Sequence, residues 1–408
     1  MNITILILEY EPLFTDGRVV RMRFFSEYLR DKGAQVSIIH LSNTNYEKKE
    51  NGITTYGLKY PGLSNVARVR KSNSSRAGNW LFEFVRKLSQ LVFPDRYLFS
   101  VVRLSKKIRQ ICKAGDTLVV SMPRFSPLLI FCFDKLVPFN VNVIFDYRDL
   151  WVNNRIFVRN KIENWLAKKI EKKALSRAKG VMVTTNPAKG YFNKQGIEDV
   201  WLVRNGISLR DYDTIRSENQ GRSLVKKPIE KELHDVAVGY FGNIGHRRNA
   251  EALFKVLKSL NVDLRVFGAL DEKHRLICGE SYKGSVDRTQ ALKEASQCDV
   301  LVVVIRAAED SSYAMPGKLF EYMALNKPIL LFCPPDALIA VWLSKYHYPH
   351  VLVNSELPDF GLSTLNQQLI NLYRNSGSNT VEKEAVPIRE HEYNKVYDAI
   401  CSWQGIEL

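Results

Sequence analysis

SSYAMPGKLFEYMALNKPIL, residues 311–330, carries the clearest structural signal in this 408-residue chain. Its pattern predicts a turn, then a helix over 316–326 and a buried strand over 328–332. Lys318 and Glu321 are three residues apart and therefore share one face of that helix. Glu321 would complement the helix dipole by about 0.3–1 kcal/mol, whereas a cation near a helix start is unfavourable. The pair is therefore interpreted either as ordinary helix-end charges or as a ligand site, in which a phosphate would bind Lys318 and neutral hydroxyl groups would bind Glu321.

Continuous apolar runs alternate with helical segments through most of the chain, as is typical of strands buried on both faces of a parallel sheet. In the first half the predicted strands are 3–8, 35–41, 117–122, 141–147, 180–185 and 199–203. In the second half they are 236–242, 262–268, 299–305 and 328–332. Further helices are predicted over 17–33, 78–93, 96–111 and 249–260. Two such arrays predict two doubly wound α/β domains, which bind ligands beyond the carboxyl ends of their strands.

The length also suits two domains of roughly 150–200 residues each. A polar stretch over 208–235 contains few apolar residues, and we interpret it as the connection between the domains. The predicted boundaries are 1–205 for the N-terminal domain and 206–384 for the C-terminal domain. The charged segment 385–408 is predicted to be a helix that packs back toward the N-terminal domain.

Several other classes of protein and site are disfavoured. No run approaches the roughly 18 apolar residues of a transmembrane helix, and MNITILILEY lacks the basic region of a signal peptide. The six cysteines form no C-x-x-C pair, so we expect buried free thiols in a reducing compartment. The D-x-D at 211–213 follows no predicted strand and the histidines do not cluster. We therefore expect no metal site.

The charge is distributed unevenly. The chain carries a net charge of +16, yet residues 1–200 hold 34 Lys and Arg against 17 Asp and Glu, and the remainder is almost neutral. Residues 59–113 contain 13 basic side chains and only two acidic ones. This asymmetry indicates an anionic partner for the N-terminal half: a membrane surface, a nucleic acid or a phosphorylated substrate. General solubility would not confine the charge to one half.

Residues 238–249, VGYFGNIGHRRN, form a second motif. A predicted strand ends at Phe241, glycines 242 and 245 flank a tight loop, two arginines follow, and a helix begins near 249. Glycines let a backbone approach a ligand, and helix N-termini and arginines favour phosphate. The alternative is an ordinary strand-to-helix turn with solvated arginines. The glycine spacing does not match the nicotinamide fingerprint G-x-G-x-x-G.

A third motif, FDYRDLW at 145–151, ends a predicted strand of the basic half. Asp146, Arg148 and Asp149 cluster where doubly wound sheets keep their active residues. A structural Arg–Asp ion pair is the alternative to a functional role for this cluster.

With these motifs, the chain resembles the retaining GT-B glycosyltransferases of glycosyltransferase family four, of the bacterial polysaccharide and lipid-linked glycan type. The resemblance spans nearly the whole chain. Its motifs are EPLFTDG (11–17), D-x-R-D-x-W (146–151), VRNGI (203–207), YFGNIG (240–245) and P-x-K-L-F-E-Y-M-A-x-x-K-P (316–328). It implies an α/β GT-B fold, in which two Rossmann-like doubly wound parallel-sheet domains face each other across an interdomain cleft. The N-terminal domain would bind the acceptor and the C-terminal domain the nucleotide-sugar donor.

The resemblance also implies roles for individual residues. Glu321 would bind the donor ribose, Lys318 and Arg248 the diphosphate, and Tyr282 the base. Arg148 and Asp149 would face the acceptor hydroxyl. The implied catalytic residues are Arg148, Asp149, Arg248 and Lys318, and the implied donor-binding residues are Gly17, Gly242, Asn243, Gly245, Arg248, Tyr282, Tyr313, Pro316, Gly317, Lys318 and Glu321. No metal and no cofactor is implied besides the nucleotide-diphosphate sugar, which is a co-substrate.

Two positions depart from the family pattern. Tyr313 occupies the place of a glutamate that often contacts the sugar, and Asn243 replaces an arginine that often helps to bind the diphosphate. Three alternatives therefore stay open: a nucleotide-sugar epimerase of the same fold, a non-catalytic homologue, and a non-catalytic module that binds membrane or nucleic acid. The last does not explain why the neutral half carries the phosphate motifs.

The resemblance supplies a reason for the basic half. Family members often glycosylate acceptors on polyprenyl diphosphate, and basic residues near an anionic membrane surface contribute about 1 kcal/mol each. The apolar stripe at 81–92, with basic residues before it, would lie at such an interface. We therefore expect a cytoplasmic protein, peripheral on the inner face of the plasma membrane, with a glycan or lipid-linked acceptor and no nucleic-acid partner.

Overall fold

The chain forms two compact units, Met1–Val203 with Glu392–Leu408, and Arg204–His391. The computed structural model describes residues 1–10, 17–60, 93–137, 140–154, 157–222, 232–244, 250–305, 315–356, 362–375 and 385–406. The helix predicted over 78–93 and the apolar stripe at 81–92 lie almost entirely outside these ranges.

The first unit is built on an eight-stranded sheet. Its strands are β1 (Asn2–Glu9), β2 (Gln35–Ser42), β3 (Tyr46–Glu50), β4 (Ile53–Lys59), β5 (Thr117–Ser121), β6 (Asn142–Tyr147), β7 (Ala178–Val183) and β8 (Val200–Leu202). Their spatial order is β3-β4-β2-β1-β5-β6-β7-β8, and only β3 pairs antiparallel. Chain order reverses between β1 and β5, which marks the usual ligand position in such a sheet.

Helices cover both faces of this sheet. They are α1 (Gly17–Asp31), α2 (Val101–Ile111), α3 (Lys161–Leu175), α4 (Asn186–Lys194) and a terminal helix (Arg389–Trp403) that enters this unit at Glu392. Successive residues of β1 point to opposite faces, so that Leu6 joins one buried cluster and Ile5 the other. The terminal helix packs beside α1, where the rings of Phe25 and Tyr393 lie 4.9 Å apart. Burial of such side chains stabilises by about 1.5–3 kcal/mol each.

The second unit contains a six-stranded, wholly parallel sheet. Its strands are β9 (Ala237–Phe241), β10 (Asp263–Phe267), β11 (Tyr282–Gly284), β12 (Val300–Val304), β13 (Ile329–Cys333) and β14 (His350–Asn354). The spatial order is β11-β10-β9-β12-β13-β14. Counted from the first strand of the unit this is 3-2-1-4-5-6, the Rossmann order, and it reverses between β9 and β12.

Seven helices are described in this second unit besides the start of the terminal helix. They are α5 (Leu209–Arg222), α6 (Glu251–Ser259), α7 (Glu272–Cys278), α8 (Arg288–Gln297), α9 (Gly317–Ala324), α10 (Leu338–Lys345) and α11 (Leu362–Asn375). Leu253 and Phe254 of α6 belong to one buried cluster, whereas Leu319 and Phe320 of α9 belong to the cluster on the other face. The connection after β9 runs toward one edge of the sheet and the connection after β12 toward the other. Because both crossovers are right-handed, their helices lie on opposite faces of the sheet.

One predicted connection is partly helical. The interpretation of the whole of 208–235 as a linker is wrong, because Leu209–Arg222 forms helix α5. The Ser208 hydroxyl caps this helix by accepting a hydrogen bond from the Asp211 amide at 3.1 Å. Tyr212 and Ile215 are buried in the core of the second unit. These two apolar anchors and the cap stabilise a helix that is otherwise mostly polar.

All six cysteines are free thiols, and five of them are buried. Within the described ranges, no helix is both long enough and apolar enough to cross a membrane.

Candidate functional site

The carboxyl end of β9 meets the start of α9 in the second unit. Lys318 Nζ donates a hydrogen bond to the Phe241 carbonyl oxygen at 3.0 Å and lies 4.6 Å from the centre of the Tyr240 ring. The Tyr322 hydroxyl donates to the same carbonyl at 3.4 Å, and burial raises the pKa of this hydroxyl well above its ordinary range. These contacts place an ammonium group where chain order reverses in the sheet.

Gly242 makes this position of the ammonium group possible. A Cβ atom at residue 242 would lie 2.2 Å from Lys318 Nζ, so that any side chain here would displace it. The Gly242 amide donates to the Phe267 carbonyl at 2.8 Å, and Asn243 Oδ1 accepts a hydrogen bond from the Ala269 amide at 2.9 Å. Asn243 therefore ties the loop after β9 to the loop after β10.

The start of α9 presents backbone amides without a side-chain cap. Pro316 is the N-cap, with extended backbone angles, and no acidic residue lies in the first turn. Gly317 is the first helical residue, and the Met315 carbonyl before it accepts a hydrogen bond from Asn205 Nδ2 at 3.2 Å. An uncapped helix start next to a lysine is a favourable environment for an anion.

Glu321, one turn further along α9, is paired with an arginine. Arg288 Nε donates to Glu321 Oε1 at 2.9 Å, and Arg288 Nη1 donates to Asp211 Oδ2 at 2.8 Å. Burial alone would lower the pKa of the Arg288 guanidinium, but the charges of Glu321 and Asp211 outweigh burial and raise it. The three side chains form a charged network between α5, α8 and α9, which we call the Asp211–Arg288–Glu321 network.

Tyr282 lies on the neighbouring strand β11. Its hydroxyl donates to the Gly268 carbonyl at 3.1 Å, and the Arg275 guanidinium lies 5.6 Å from the centre of its ring. Gly268 has a φ of +127°, and a Cβ there would lie 2.1 Å from the Gly242 carbonyl oxygen. Only glycine fits this close contact between the two loops.

The predicted acceptor residues lie in the first unit, directly after β6. Arg148 Nε and Nη2 both donate to the Met122 carbonyl, at 2.8 and 2.6 Å, and Asp149 is exposed. Asp146, from the same motif, instead forms a buried ion pair with Arg21 at 2.9 Å, which is the structural alternative considered for this cluster.

Arg148 also lines a pocket at the reversal of chain order in the first sheet. The other residues that line this pocket are Ile7, Leu8, Glu9, Ser121, Met122, Pro123 and Arg124. Glu9 Oε1 accepts hydrogen bonds from Arg124 at 3.0 Å and from Arg96 at 3.1 Å. This pocket therefore combines polar and charged groups at the position where such sheets bind ligands.

The implied site includes four further residues. Gly17 is the first residue of α1. Gly245, Arg248 and Tyr313 lie outside the described residues. Among the described residues, no group of three or more His, Cys, Asp or Glu side chains could hold a metal ion.

Sequence reasoning did not find Arg288 or the role of Asp211. Arg288 directly follows the N-cap Asp287 in a segment without a recognisable motif. In the sequence, Asp211 stands out only as part of the D-x-D at 211–213. A charge next to a helix start, unfavourable by itself, is the signal that would have drawn attention to Arg288, as it did to Lys318.

No protein-family model matches the sequence, and no curated protein matches it. Solved structures are similar over almost the whole chain. Trehalose-6-phosphate synthase OtsA has a TM-score of 0.62 at 12% identity and covers 99% of this chain and 97% of its own. HepE of Anabaena, solved with UDP-glucose, has a TM-score of 0.58 at 11% identity, covering 98% of this chain and 100% of its own. The Burkholderia xenovorans α,α-trehalose-phosphate synthase, solved with glucose-6-phosphate, has a TM-score of 0.58 at 10% identity, covering 99% and 97%.

These neighbours are GT-B glycosyltransferases, and the likeness shows that this chain has the GT-B fold, as the sequence predicts. At 10–12% identity the likeness extends to the fold alone.

Replacement of Gly242 by alanine is expected to displace the Lys318 ammonium without unfolding the protein. The added Cβ would meet Nζ, the flexible end of a long side chain, at 2.2 Å. The free energy of unfolding should therefore fall by less than about 1 kcal/mol, as measured by urea denaturation of the full chain.

Gly268→Ala is the matched control, because its φ of +127° and the backbone contact at 2.1 Å leave no way to relax. This variant should lose at least about 2 kcal/mol. Equal losses in the two variants would contradict the assigned positions of Gly242 and Lys318.

Proposed function

We propose that this protein is a retaining glycosyltransferase of family four, which transfers a sugar from a nucleotide-diphosphate donor to a glycan or lipid-linked acceptor in bacterial surface polysaccharide assembly. The observation that carries the proposal is the meeting of Lys318, Gly242 and the uncapped start of α9 where chain order reverses in a Rossmann-ordered sheet. The complex of HepE with UDP-glucose supports a nucleotide-sugar donor. The class of acceptor and the retaining mechanism rest on the resemblance of the motifs.

The proposed chemistry depends on stabilising the leaving group. Negative charge develops on the diphosphate as the sugar leaves, and fixed positive charge and amide dipoles lower the energy of that transition state. Lys318 and the first amides of α9 are the described groups suited to this task, and Arg248 is proposed to assist them. Loss of one such donor typically costs about 2.7–4 kcal/mol. We propose no metal, because these groups would neutralise the diphosphate.

The remaining donor contacts are proposed from the resemblance of the motifs. Glu321 would accept hydrogen bonds from the ribose hydroxyls and Tyr282 would contact the base, and the same resemblance assigns Gly245 and Tyr313 to the donor. In the first unit, Arg148 and Asp149 would bind the acceptor near its reactive hydroxyl.

Replacement of Glu321 by alanine should reduce sugar transfer at least tenfold, because the carboxylate that orients the ribose is lost. Transfer is measured as the release of nucleoside diphosphate with a panel of nucleotide sugars and an acceptor extract. Glu272→Ala is the control, since Glu272 is an exposed glutamate in the first turn of α7 of the same unit.

Unchanged turnover in the Glu321 variant would exclude this assignment. Isomerised donor without any acceptor in the wild-type reaction would identify an epimerase instead.

The first unit also presents a surface suited to an anionic membrane. Phe99, in the 3₁₀ turn Leu98–Ser100 directly before α2, is 78% exposed, and Val102 in the first turn of α2 is 69% exposed. Ile162 and Trp165 on α3 are 72% and 52% exposed. Both helices contact the short 3₁₀ helix Ser126–Cys132, so that they flank one part of the unit. Exposed basic side chains accompany them on the same helices: Arg103, Lys106, Lys161, Lys168 and Lys169. Apolar groups between cations are typical of peripheral membrane contact.

We therefore expect this protein to float with vesicles that contain anionic lipid and to be released by salt. The double variant Phe99→Ser/Trp165→Ser should bind such vesicles at least about fivefold more weakly. Leu276→Ser is the control, because Leu276 is 76% exposed in the second unit. Flotation that does not require anionic lipid, or an equal effect of the control, would exclude this surface.

A further inference from the structure

We infer that Arg288 is the residue that positions Glu321, and that the Asp211–Arg288–Glu321 network makes the donor site select ribonucleoside over deoxyribonucleoside diphosphates. The inference rests on the proposed function, because it concerns the same donor site. It assigns a task to two residues, Arg288 and Asp211, that neither the motifs nor the fold single out.

The geometry holds one oxygen of Glu321 and leaves the other available. Arg288 Nε and Nη2 both lie 2.9 Å from Oε1 of Glu321. In the part of the chain that the structure describes, no hydrogen bond reaches Oε2. A carboxylate oxygen accepts two hydrogen bonds readily, and the vicinal hydroxyls of a ribose supply two donors. The clamped oxygen fixes the side-chain rotamer, so that Oε2 is already oriented before the ligand arrives.

Asp211 anchors the other end of the guanidinium. Its Oδ2 accepts from Arg288 Nη1 at 2.8 Å, and its own amide is held by the Ser208 cap at the start of α5. The guanidinium is therefore fixed from two sides and cannot follow Glu321 into other rotamers. Ion pairs whose side chains are about one-fifth to one-third exposed, as here, keep their geometry better than fully exposed pairs.

The position of Arg288 is unfavourable without its partners. It is the first residue of α8, where the helix dipole disfavours a cation. Two carboxylates from two other helices offset this cost. The shared cation in turn compensates the repulsion between the two carboxylates. Without Arg288, Glu321 would face Asp211 across the gap, and its carboxylate would turn toward solvent.

A purely structural network would stabilise the contact between α5, α8 and α9 and do nothing else. The two roles differ in the ratio of the affinities for the ribose and the deoxyribose form of the nucleotide. If Oε2 binds the ribose, removal of the ribose hydroxyls leaves a half-buried acceptor unpaired and lowers affinity, and a misplaced Glu321 abolishes the difference. A structural role would weaken the binding of both nucleotides alike.

The test is isothermal titration calorimetry on the full chain. UDP, GDP, ADP and CDP are titrated first, and the diphosphate that binds most tightly is then compared with its 2′-deoxy and 2′,3′-dideoxy forms. The wild-type protein should prefer the ribose form at least about tenfold. Arg288→Met should bring the ratio close to one while leaving affinity for the dideoxy form unchanged. Glu321→Gln and the double variant should give the same ratio as Arg288→Met.

Arg265→Met is the matched control, because Arg265 forms an ion pair with Asp263 in the same unit, away from this network. It should keep the wild-type ratio. If Arg288→Met does not fold, Arg288→Lys and Asp211→Asn replace it, and both should lower the ratio several-fold.

The outcomes distinguish failure of the proposed function from failure of the inference about Arg288. Failure of the wild-type protein to bind any nucleoside diphosphate would overturn the proposed function. Binding without preference for ribose, or an unchanged ratio in the Arg288 and Asp211 variants, would overturn only the inference about this network.

Discussion

The reversal of chain order between β9 and β12 is the constraint on which the candidate site depends. Crossovers in a parallel sheet are right-handed, so the helices after β9 and β12 lie on opposite faces. At the carboxyl edge the two connections therefore diverge, and the start of α9 comes to lie beside the end of β9. The 3.0 Å hydrogen bond from Lys318 to the Phe241 carbonyl shows how closely the start of α9 lies to the end of β9. Gly242 is required because the ammonium occupies the space of a side chain.

The same arrangement explains why one short helix carries opposite charges. Lys318 and Glu321 lie on one side of α9, while Leu319, Phe320 and Met323 are buried on the other. Lys318 contacts the end of the central strand, and Glu321 contacts the network that reaches α5 and α8. The proposed donor would place a phosphate next to Lys318 and ribose hydroxyls next to Glu321. The proposal thus gives a reason for a lysine that would weaken the start of an isolated helix.

The sequence predicts the elements well where burial imposes a pattern. The strand predicted over 236–242 is Ala237–Phe241, and the helix predicted over 316–326 is Gly317–Ala324. Periodicity does not reveal helix α5, because its segment is mostly polar and its buried anchors among the described side chains are Tyr212 and Ile215. The pairing of Arg288 with Glu321 joins residues 33 positions apart, and only the folded sheet brings them together. Side-chain pairs of this kind have no local pattern from which they could be inferred.

The binding of a nucleoside diphosphate at the start of α9 is best measured by hydrogen–deuterium exchange of the full chain. Addition of the tightest-binding diphosphate should slow exchange in peptides that cover 239–244 and 315–323, because the ligand bonds to amides of the first turn of the helix and stabilises the loop after β9, whose own backbone hydrogen bonds then open less often. Peptides from β13 and α10 should be unaffected. Protection confined to the first unit, or bound ligand without protection at these two segments, would contradict the placement of the donor site.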